Sequence, residues 1–305
     1  MDRLDLDPEE IRDYLQRVEL PGRRQGPLGA AAVEILRYGA FVGSSTECHR
    51  QLVRAMARAR QHIDSCEDEG RAVESGRIII AERLTGSKGR FDRSWHAPAG
   101  GFWGCLIHAN TLTPRSSMLL SLAVGVAACE TLDVYLPGGP AIRWINDVLI
   151  DGGKAGGFLI ESHTGRRWKE QFHLVGFGIN VNNTSFPDEL KDSAVSLRGR
   201  RGSAVDLKEF GLIFIAKLAW NIGLLYFVEA CGEPEGQEGG GTHPVIGRWC
   251  ELADTLGRRV VFGYDVISKP QYRATATAIA HDGGLEMRLE DGYTVVEHSG
   301  EIRYL

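Results

Sequence analysis

The chain of 305 residues lacks several features that would each point to a class of protein. Its six cysteines (48, 66, 105, 129, 231 and 250) form no CxxC pair, which disfavours both a structural zinc site and a disulfide framework. Its nine histidines show no HxxxH spacing, so a catalytic zinc is not expected. No basic and apolar leader opens the chain, and no apolar run is predicted to be long enough to cross a bilayer. We therefore expect a cytoplasmic protein with no membrane partner.

The chain also has no excess of positive charge. The 35 lysines and arginines are outnumbered by 40 aspartates and glutamates, which gives a formal net charge of -5 and argues against a nucleic-acid partner. Hydrophobic residues at 43% and charged residues at 25% are typical of a globular protein with a sizeable core. Any binding site for an anion must therefore be a local concentration of bases.

Hydrophobic periodicity places the main elements along the chain. Helices are predicted near residues 8–18, 52–59, 116–132, 207–228 and 245–252. Strands are predicted over 34–42, 76–82, 101–108, 148–150, 158–160 and 172–180, with the hydroxyls of residues 44–46 capping the next helix. Shorter strands follow at 258–264, 272–279, 284–289 and 293–297.

These elements predict an α+β fold in two parts. Residues 1–232 would form a large domain with a mixed β-sheet flanked by helices. Residues 233–253 would form a loop and a connecting helix, because the glycine-rich segment 231–244 has the composition of a flexible loop. Residues 254–305 would form a small antiparallel β-barrel.

A basic loop interrupts the periodicity after the second predicted strand. Residues 83–93 carry four bases (Arg83, Lys88, Arg90 and Arg93) and one acid (Asp92). Glycines 86 and 89 would let backbone amides approach a ligand, while the cations would pair with a phosphate or carboxylate. Neither the Walker pattern nor GxGxxG is present, so the loop alone does not separate an anion site from a solvated surface.

The segment RWINDVLIDGGKAGGFLIE, residues 143–161, is the most informative part of the chain. Two short apolar strands flank a turn at residues 151–153, and they carry Asp147, Lys154, Gly156 and Gly157. Groups on strands hold their positions better than groups on loops, which suits chemistry on a charged small molecule. An ordinary surface hairpin is the competing interpretation.

Taken together, the motifs resemble a biotin protein ligase. The resemblance rests on SSTE (44–47), AERLTGSKGRFDRSW (81–95), APAGGFW (97–103), the hairpin and VGFGINVNN (175–183), and it covers most of the chain. LGRRVVFG (256–263) and SGEIRYL (299–305) are similar to the SH3-like domain that ends bacterial members. No helix-turn-helix segment is expected before residue 35, so the chain resembles the single-function type without a DNA-binding domain.

The resemblance implies ATP-dependent activation of biotin and its transfer to a lysine of a biotin carboxyl carrier domain, with Mg²⁺ accompanying ATP. It also implies roles for particular residues. Catalysis is assigned to Lys154, Arg90 and Lys88; substrate binding to Ser45, Thr46, Thr85, Gly86, Gly89, Gly156 and Gly157; nucleotide binding to Arg93, Trp95, Arg143 and Asn180; and metal binding to Asp147. An exposed sheet edge would serve a second copy or the carrier.

The chain also departs from the family pattern. The usual GRGRxGR loop appears as SKGRFDR (87–93), with Ser87, Lys88 and Asp92 at altered positions, and the usual biotin-contacting glutamine appears as Leu84 or Thr85. Lysine lacks the bidentate fork of arginine, so weaker retention of the acyl-adenylate is expected. The departures leave the acyl substrate open.

Two alternatives therefore stand beside biotin ligation. The first is a lipoate or octanoate ligase or transferase of the same superfamily, for which Cys105 would be the candidate thiol. A small buried apolar role is the competing interpretation of Cys105. The second is a non-catalytic relative that binds a cofactor or its carrier.

Overall fold

The computed structural model describes residues 4–232 and 242–305, apart from the side chain of Asp92. The α-helices are α1 (Pro8–Tyr14), α2 (Leu20–Arg24), α3 (Ala32–Gly39), α4 (Ala55–Asp68), α5 (Pro114–Asp133), α6 (Leu197–Arg201), α7 (Leu207–Cys231) and α8 (Pro244–Leu252). The strands are β1 (Ser45–His49), β2 (Arg77–Ala81), β3 (Phe102–Ala109), β4 (Pro140–Arg143), β5 (Asp147–Ile150), β6 (Gly153–Thr164), β7 (Gln171–Ile179), β8 (Arg259–Gly263), β9 (Tyr272–Ile279), β10 (Leu285–Leu289), β11 (Thr294–Glu297) and β12 (Glu301–Tyr304).

The main sheet has seven strands in the order β1-β2-β3-β7-β6-β5-β4. Only β1 and β2 run parallel among these pairs, so the sheet is mixed, as predicted. Helices α5 and α7 pack together on one face, and α4 packs on the other face. The predicted α+β class is confirmed.

The C-terminal strands form a second, antiparallel sheet in the order β11-β10-β9-β8-β12. Four of its strands lie where periodicity predicts them, and β12 is an addition from the SGEIRYL segment. Val260, Phe262 and Met287 of this sheet belong to the same buried cluster as α5 and α7. The two sheets therefore share one apolar core.

Two predictions before residue 55 are wrong. Residues 34–42 do not form a strand, because Ala32–Gly39 is a helix whose buried residues follow helical spacing. Gly39 allows this helix to pack closely against α7, since a Cβ at residue 39 would lie 1.8 Å from the carbonyl oxygen of Ala219 on α7. The hydroxyls of residues 44–46 cap no helix either; Ser45 and Thr46 lie in β1, and α4 begins only at Ala55.

The N-terminal helices belong to this core. Asp7 caps α1 by accepting from the amide of Glu9, and Pro8 occupies the first turn, as predicted. Leu6, Ile11 and Leu20 are buried in the main cluster. Residues 4–39 therefore pack as part of the large sheet domain.

The prediction that no apolar run is long enough to cross a bilayer is also corrected. Helices α5 and α7 are long and apolar enough by composition to span a membrane, yet 78% of each apolar window is buried inside the protein. They are core helices.

The predicted flexible loop at 231–244 falls largely on residues 233–241, outside the described part of the chain.

Candidate active site

A cavity of about 600 Å³ lies against the main sheet, between the basic loop and the C-terminal sheet. The loop contributes Lys88, Arg90 and Arg93, and the hairpin contributes Asp147 and Lys154. Gly300 to Arg303 close it from the C-terminal side. Segments that are more than 200 residues apart in the chain therefore share one wall.

The cavity wall is cationic although the protein is acidic. Its basic residues number seven and its acidic residues three, so the wall carries a formal excess of four positive charges: Arg54, Lys88, Arg90, Arg93, Arg143, Lys154 and Arg303 against Asp147, Asp192 and Glu301. Such a concentration of one sign attracts anions and stabilises them where water is scarce. The local concentration of bases expected from the sequence is present.

Asp147 stands between two cations. Its Oδ1 lies 2.6 Å from Lys154 Nζ and its Oδ2 lies 2.6 Å from Arg143 Nη2. Burial by itself would raise the pKa of Asp147, but Lys154 and Arg143 outweigh that effect and hold the pKa below its usual value. The carboxylate is therefore ionised and fixes the directions of both cations.

Lys154 is also positioned by Trp95 and Gly157. Its Nζ lies 5.1 Å from the centroid of the Trp95 ring, a cation–π distance. A Cβ on Gly157 would lie 3.5 Å from Lys154 Cε and 3.6 Å from Trp95, so glycine leaves this corner open. The Trp95 indole nitrogen is buried without a hydrogen-bond partner among the described residues.

The basic loop is held by the C-terminal segment. Arg90 Nη1 donates to the carbonyl oxygen of Gly300 at 2.7 Å, and burial lowers the pKa of Arg90. Arg93 donates to both carboxylate oxygens of Glu301. Between them, Phe91 has a φ of 55° and lies under the Arg90 guanidinium. The loop is thus folded over the cavity, with its cations oriented by long-range contacts.

Part of the cavity wall is apolar. Met56, Leu159 and Trp103 line it together with glycines of β3 and β7. A Cβ on Gly176 would lie 2.6 Å from the Met56 sulfur, so the floor is already closely packed. Trp103 is fully buried and donates to the Pro98 carbonyl, which makes it a core residue that also borders the cavity.

Ten of the predicted site residues lie on the cavity wall: Lys88, Gly89, Arg90, Arg93, Trp95, Arg143, Asp147, Lys154, Gly157 and Asn180. Their roles stay predictions, but their placement together is a finding.

Five others are not brought to that wall: Ser45, Thr46, Thr85, Gly86 and Gly156. The Thr46 hydroxyl donates to the carbonyl of Leu6 at 2.6 Å and so ties down the N-terminal segment. Gly86 packs against Val53, and Gly156 faces the carbonyl of Gly178 across the strands.

Several wall residues escaped the sequence analysis. Arg54, Gly178, Ile267 and Glu301 all line the cavity. The sequence contains a weak signal for Arg54. It occupies the N-cap position of α4, where a residue with a capping oxygen is usual, and its side chain makes no capping hydrogen bond. Glu301 lies in the quoted SGEIRYL segment, but no local signal indicates its pairing with Arg93, which is 208 residues away.

Asp147 supplies a single carboxylate whose two oxygens already contact cations. Across residues 4–232 and 242–305, no group of three His, Cys, Asp or Glu side chains can hold a metal ion. Asn180 Oδ1 accepts from Asn183. Magnesium is commonly held by one or two carboxylates together with substrate phosphates, so metal binding by Asp147 stays a prediction.

Comparison with known proteins agrees with this geometry. Residues 56–181 match the family described as "Biotin/lipoate A/B protein ligase family". A biotin--[acetyl-CoA-carboxylase] ligase of Paracoccus denitrificans is 32% identical over 193 residues, which cover 60% of this chain and 73% of that protein. The chain belongs to this ligase family.

Other relatives of the family extend the comparison. The bifunctional ligase/repressor BirA of Bacillus spizizenii is 35% identical over 134 residues, and the match spans only 41% of its length. The biotin protein ligase of Aquifex aeolicus in complex with biotin and ATP has a TM-score of 0.66 at 22% identity, covering 86% of this chain and 98% of that one. At this identity the likeness shows the fold alone.

Proposed function

We propose that the chain is an ATP-dependent biotin protein ligase that forms biotinyl-5'-AMP and transfers biotin to a lysine of a biotin carboxyl carrier domain. The observation that carries the proposal is the excess of four positive charges on the wall of one cavity that also has an apolar part. Biotin has an apolar body and a carboxylate, and ATP has a polyphosphate. Together they match a cavity that is partly apolar and partly cationic. The named ligases among its relatives support the same choice.

The first step joins two anions. A biotin carboxylate oxygen attacks the α-phosphorus of ATP, and the bond from that phosphorus to the bridging oxygen breaks to release pyrophosphate. Mutual repulsion opposes this approach unless fixed cations offset it in a site that excludes water. Lys154, held by Asp147, would stabilise the carboxylate and the developing charge, with Arg90 and Lys88 closing from the loop.

The second step releases the activated acyl group. A neutral lysine amine of the carrier attacks the acyl carbon, the bond to the AMP oxygen breaks, and the nitrogen loses a proton. Arg143 and Arg93 are proposed to bind phosphate, with Trp95 and Asn180 near the nucleotide. MgATP is the proposed substrate, with Asp147 proposed to contact the metal or one of its waters.

Further parts of the proposal come from the sequence. Residues 1–232 would be the catalytic domain, 233–253 the connection and 254–305 the C-terminal domain. A cytoplasmic location, the absence of a nucleic-acid partner and homodimer formation through a sheet edge stay predictions.

The test is ATP–pyrophosphate exchange measured separately with biotin, lipoate and octanoate, followed by the mass shift of an unmodified carrier domain. Exchange with biotin and a biotin-sized mass shift are expected. Exchange with lipoate or octanoate alone would select the alternative ligase. Exchange with none of the three acids would favour a binding protein without catalysis.

A transferase that uses Cys105 is the less favoured candidate. Cys105 is completely buried in β3, does not line the cavity, and has a thiol pKa raised far above its usual value by burial. A thiol kept protonated and out of reach is a poor nucleophile. Mass spectrometry after incubation with an acyl donor should therefore show no thioester at Cys105.

A further inference from the structure

Arg143, which is proposed to bind phosphate, is held through the backbone on both of its sides by the segment between α8 and β8. The amide of Asp254 donates to the carbonyl oxygen of Ile142 at 3.1 Å, and the amide of Trp144 donates to Thr255 Oγ1 at 3.1 Å. Arg143 and Trp144 line the cavity, whereas Asp254 and Thr255 do not. The place of Arg143 on the wall is therefore set by a segment outside the cavity.

Tyr304 of β12 fixes the direction of these hydrogen bonds. Its hydroxyl donates to Asp254 Oδ1 and lies 3.1 Å from Thr255 Oγ1. Tyrosine has one hydroxyl proton and a carboxylate only accepts, so the Thr255 hydroxyl must donate to Tyr304. A single directed chain results, which starts at the Trp144 amide and ends at Asp254. Burial, and then the hydrogen bond to Asp254, raise the pKa of Tyr304, so its hydroxyl keeps its proton.

The ring of Tyr304 also contacts Arg143 directly. The guanidinium carbon of Arg143 lies 5.9 Å from the ring centroid, a cation–π distance, while Arg143 Nη2 is paired with Asp147. The middle of the hydrogen-bond chain is shielded from water, because Thr255 is fully buried and Trp144 is buried. A buried amide without an acceptor is costly, so loss of one hydroxyl would let the Trp144 peptide shift and move Arg143 with it.

We infer that Tyr304 is a positioning residue for ATP binding, which acts through Thr255 and keeps Arg143 in its place on the cavity wall. This inference rests on the proposed function, in which Arg143 binds phosphate. Lys154 is held separately, by the other oxygen of Asp147. The affinity for ATP should therefore depend on the hydrogen-bond chain more strongly than the rate of the chemical step does.

The experiment measures ATP–pyrophosphate exchange on the full chain and yields kcat, KM for ATP and KM for biotin. Tyr304→Phe removes the hydroxyl and keeps the ring. It should raise KM for ATP by about 3- to 10-fold, the value of one hydrogen bond, while kcat and KM for biotin change by less than about twofold.

Two variants of Thr255 give a matched comparison. Thr255→Val should also raise KM for ATP, because valine has nearly the shape of threonine but offers the Trp144 amide no acceptor. Thr255→Ser keeps the hydroxyl and should have the wild-type KM for ATP. Tyr293→Phe, which removes a hydroxyl from an exposed residue before β11, is the control and should change nothing.

The double variant Tyr304→Phe/Thr255→Val separates positioning from a general loss of stability. If the chain acts as a unit, the double variant should raise KM for ATP no further than Thr255→Val alone. Unchanged KM for ATP in both single variants, or equal rises in KM for ATP and for biotin, would overturn the inference and leave biotin ligation standing. A wild-type protein that shows no exchange with biotin, lipoate or octanoate would overturn the inference and the proposed function together.

Discussion

Arg93 of the basic loop and Glu301 of β12 form a two-bond ion pair, with nitrogen–oxygen distances of 2.5 and 2.9 Å. The arginine side chain is 46% exposed and the glutamate 16% exposed, so the pair lies at the edge of the cavity. It connects the loop that covers the site to the C-terminal sheet. The cavity of the candidate site is therefore completed by residues from both sheets.

Breaking this pair should loosen the loop. Glu301→Gln keeps the shape but removes the charge, and we expect acyl-adenylate to leave about two- to fivefold faster, the range typical of partly exposed pairs. The rate of release would be measured by trapping free adenylate after a single turnover. Asp265→Asn is the control, because Asp265 lies 3.6 Å from Arg93 in a weaker contact. Equal release from Glu301→Gln and wild type would show that the pair does not hold the loop.

Removing the amine of Lys154 should slow adenylate formation by about 100- to 1,000-fold, since Lys154 is placed to meet charge that develops during the reaction. Lys154→Met would be compared with wild type by single-turnover formation of the acyl-adenylate. Lys208→Met is a suitable control, because Lys208 pairs with Glu10 on an exposed surface. A near-normal rate in Lys154→Met would remove Lys154 from the catalytic step.

Adding one methyl group at Gly178 should disturb Trp95. A Cβ there would lie 2.8 Å from the Trp95 indole nitrogen and 3.2 Å from Trp103, so one ring must move. We expect Gly178→Ala to lower kcat/KM for ATP in the exchange assay by about 5- to 100-fold. Gly247→Ala on α8 has no atom within 4 Å and should keep full activity while raising stability slightly. Unchanged kcat/KM in Gly178→Ala would mean that Trp95 does not contact the nucleotide.

The protein should lose stability in acid through His108. Burial, and then the charge of neighbouring His173, lowers the pKa of His108 to about 3, against about 6.5 for an unfolded histidine. Because the folded pKa is lower, the unfolded chain binds the extra proton, so this contribution is complete above pH 6.5 and is lost as pH falls towards 3. Urea unfolding between pH 6 and 4 would measure the slope.

His108→Phe should flatten that slope by about 1.4 kcal/mol per pH unit, the value of one proton. His281→Gln, on an exposed turn, is the control and should leave the slope unchanged. The interpretation would be wrong if His108→Phe and wild type lost stability in parallel. His173, whose pKa burial also lowers, would then be the group to examine.

The elements that sequence patterns predicted well are those with one dominant local signal. Helix α7 is apolar on every side and 25 residues long, and the strands of the hairpin are short apolar runs around a turn at Asp151 and Gly152. The strand predicted at 34–42 is absent because the spacing of its apolar residues fits both helical and strand periodicity. Its helical state is decided by the close approach of Gly39 to α7.

The candidate site was predicted in part for a similar reason. Motif residues that are near each other in the chain, such as Asp147 and Lys154, were found together and do form an ion pair. Arg54 and Glu161 are 107 residues apart, and although Glu161 ends the hairpin segment 143–161, nothing in that segment points to Arg54. No local pattern could indicate that they meet at the cavity.

The sequence by itself determined the family, the mixed α+β plan and the presence of a local cationic site, because composition, periodicity and motifs are properties of neighbouring residues. Only the tertiary structure decided which cations face the cavity, that Thr46 ties down the N-terminus and that Glu301 holds Arg93. The reason is physical: side-chain direction and long-range pairing depend on how the sheets and helices pack. Two residues 208 positions apart become neighbours only when a shared core brings their segments together.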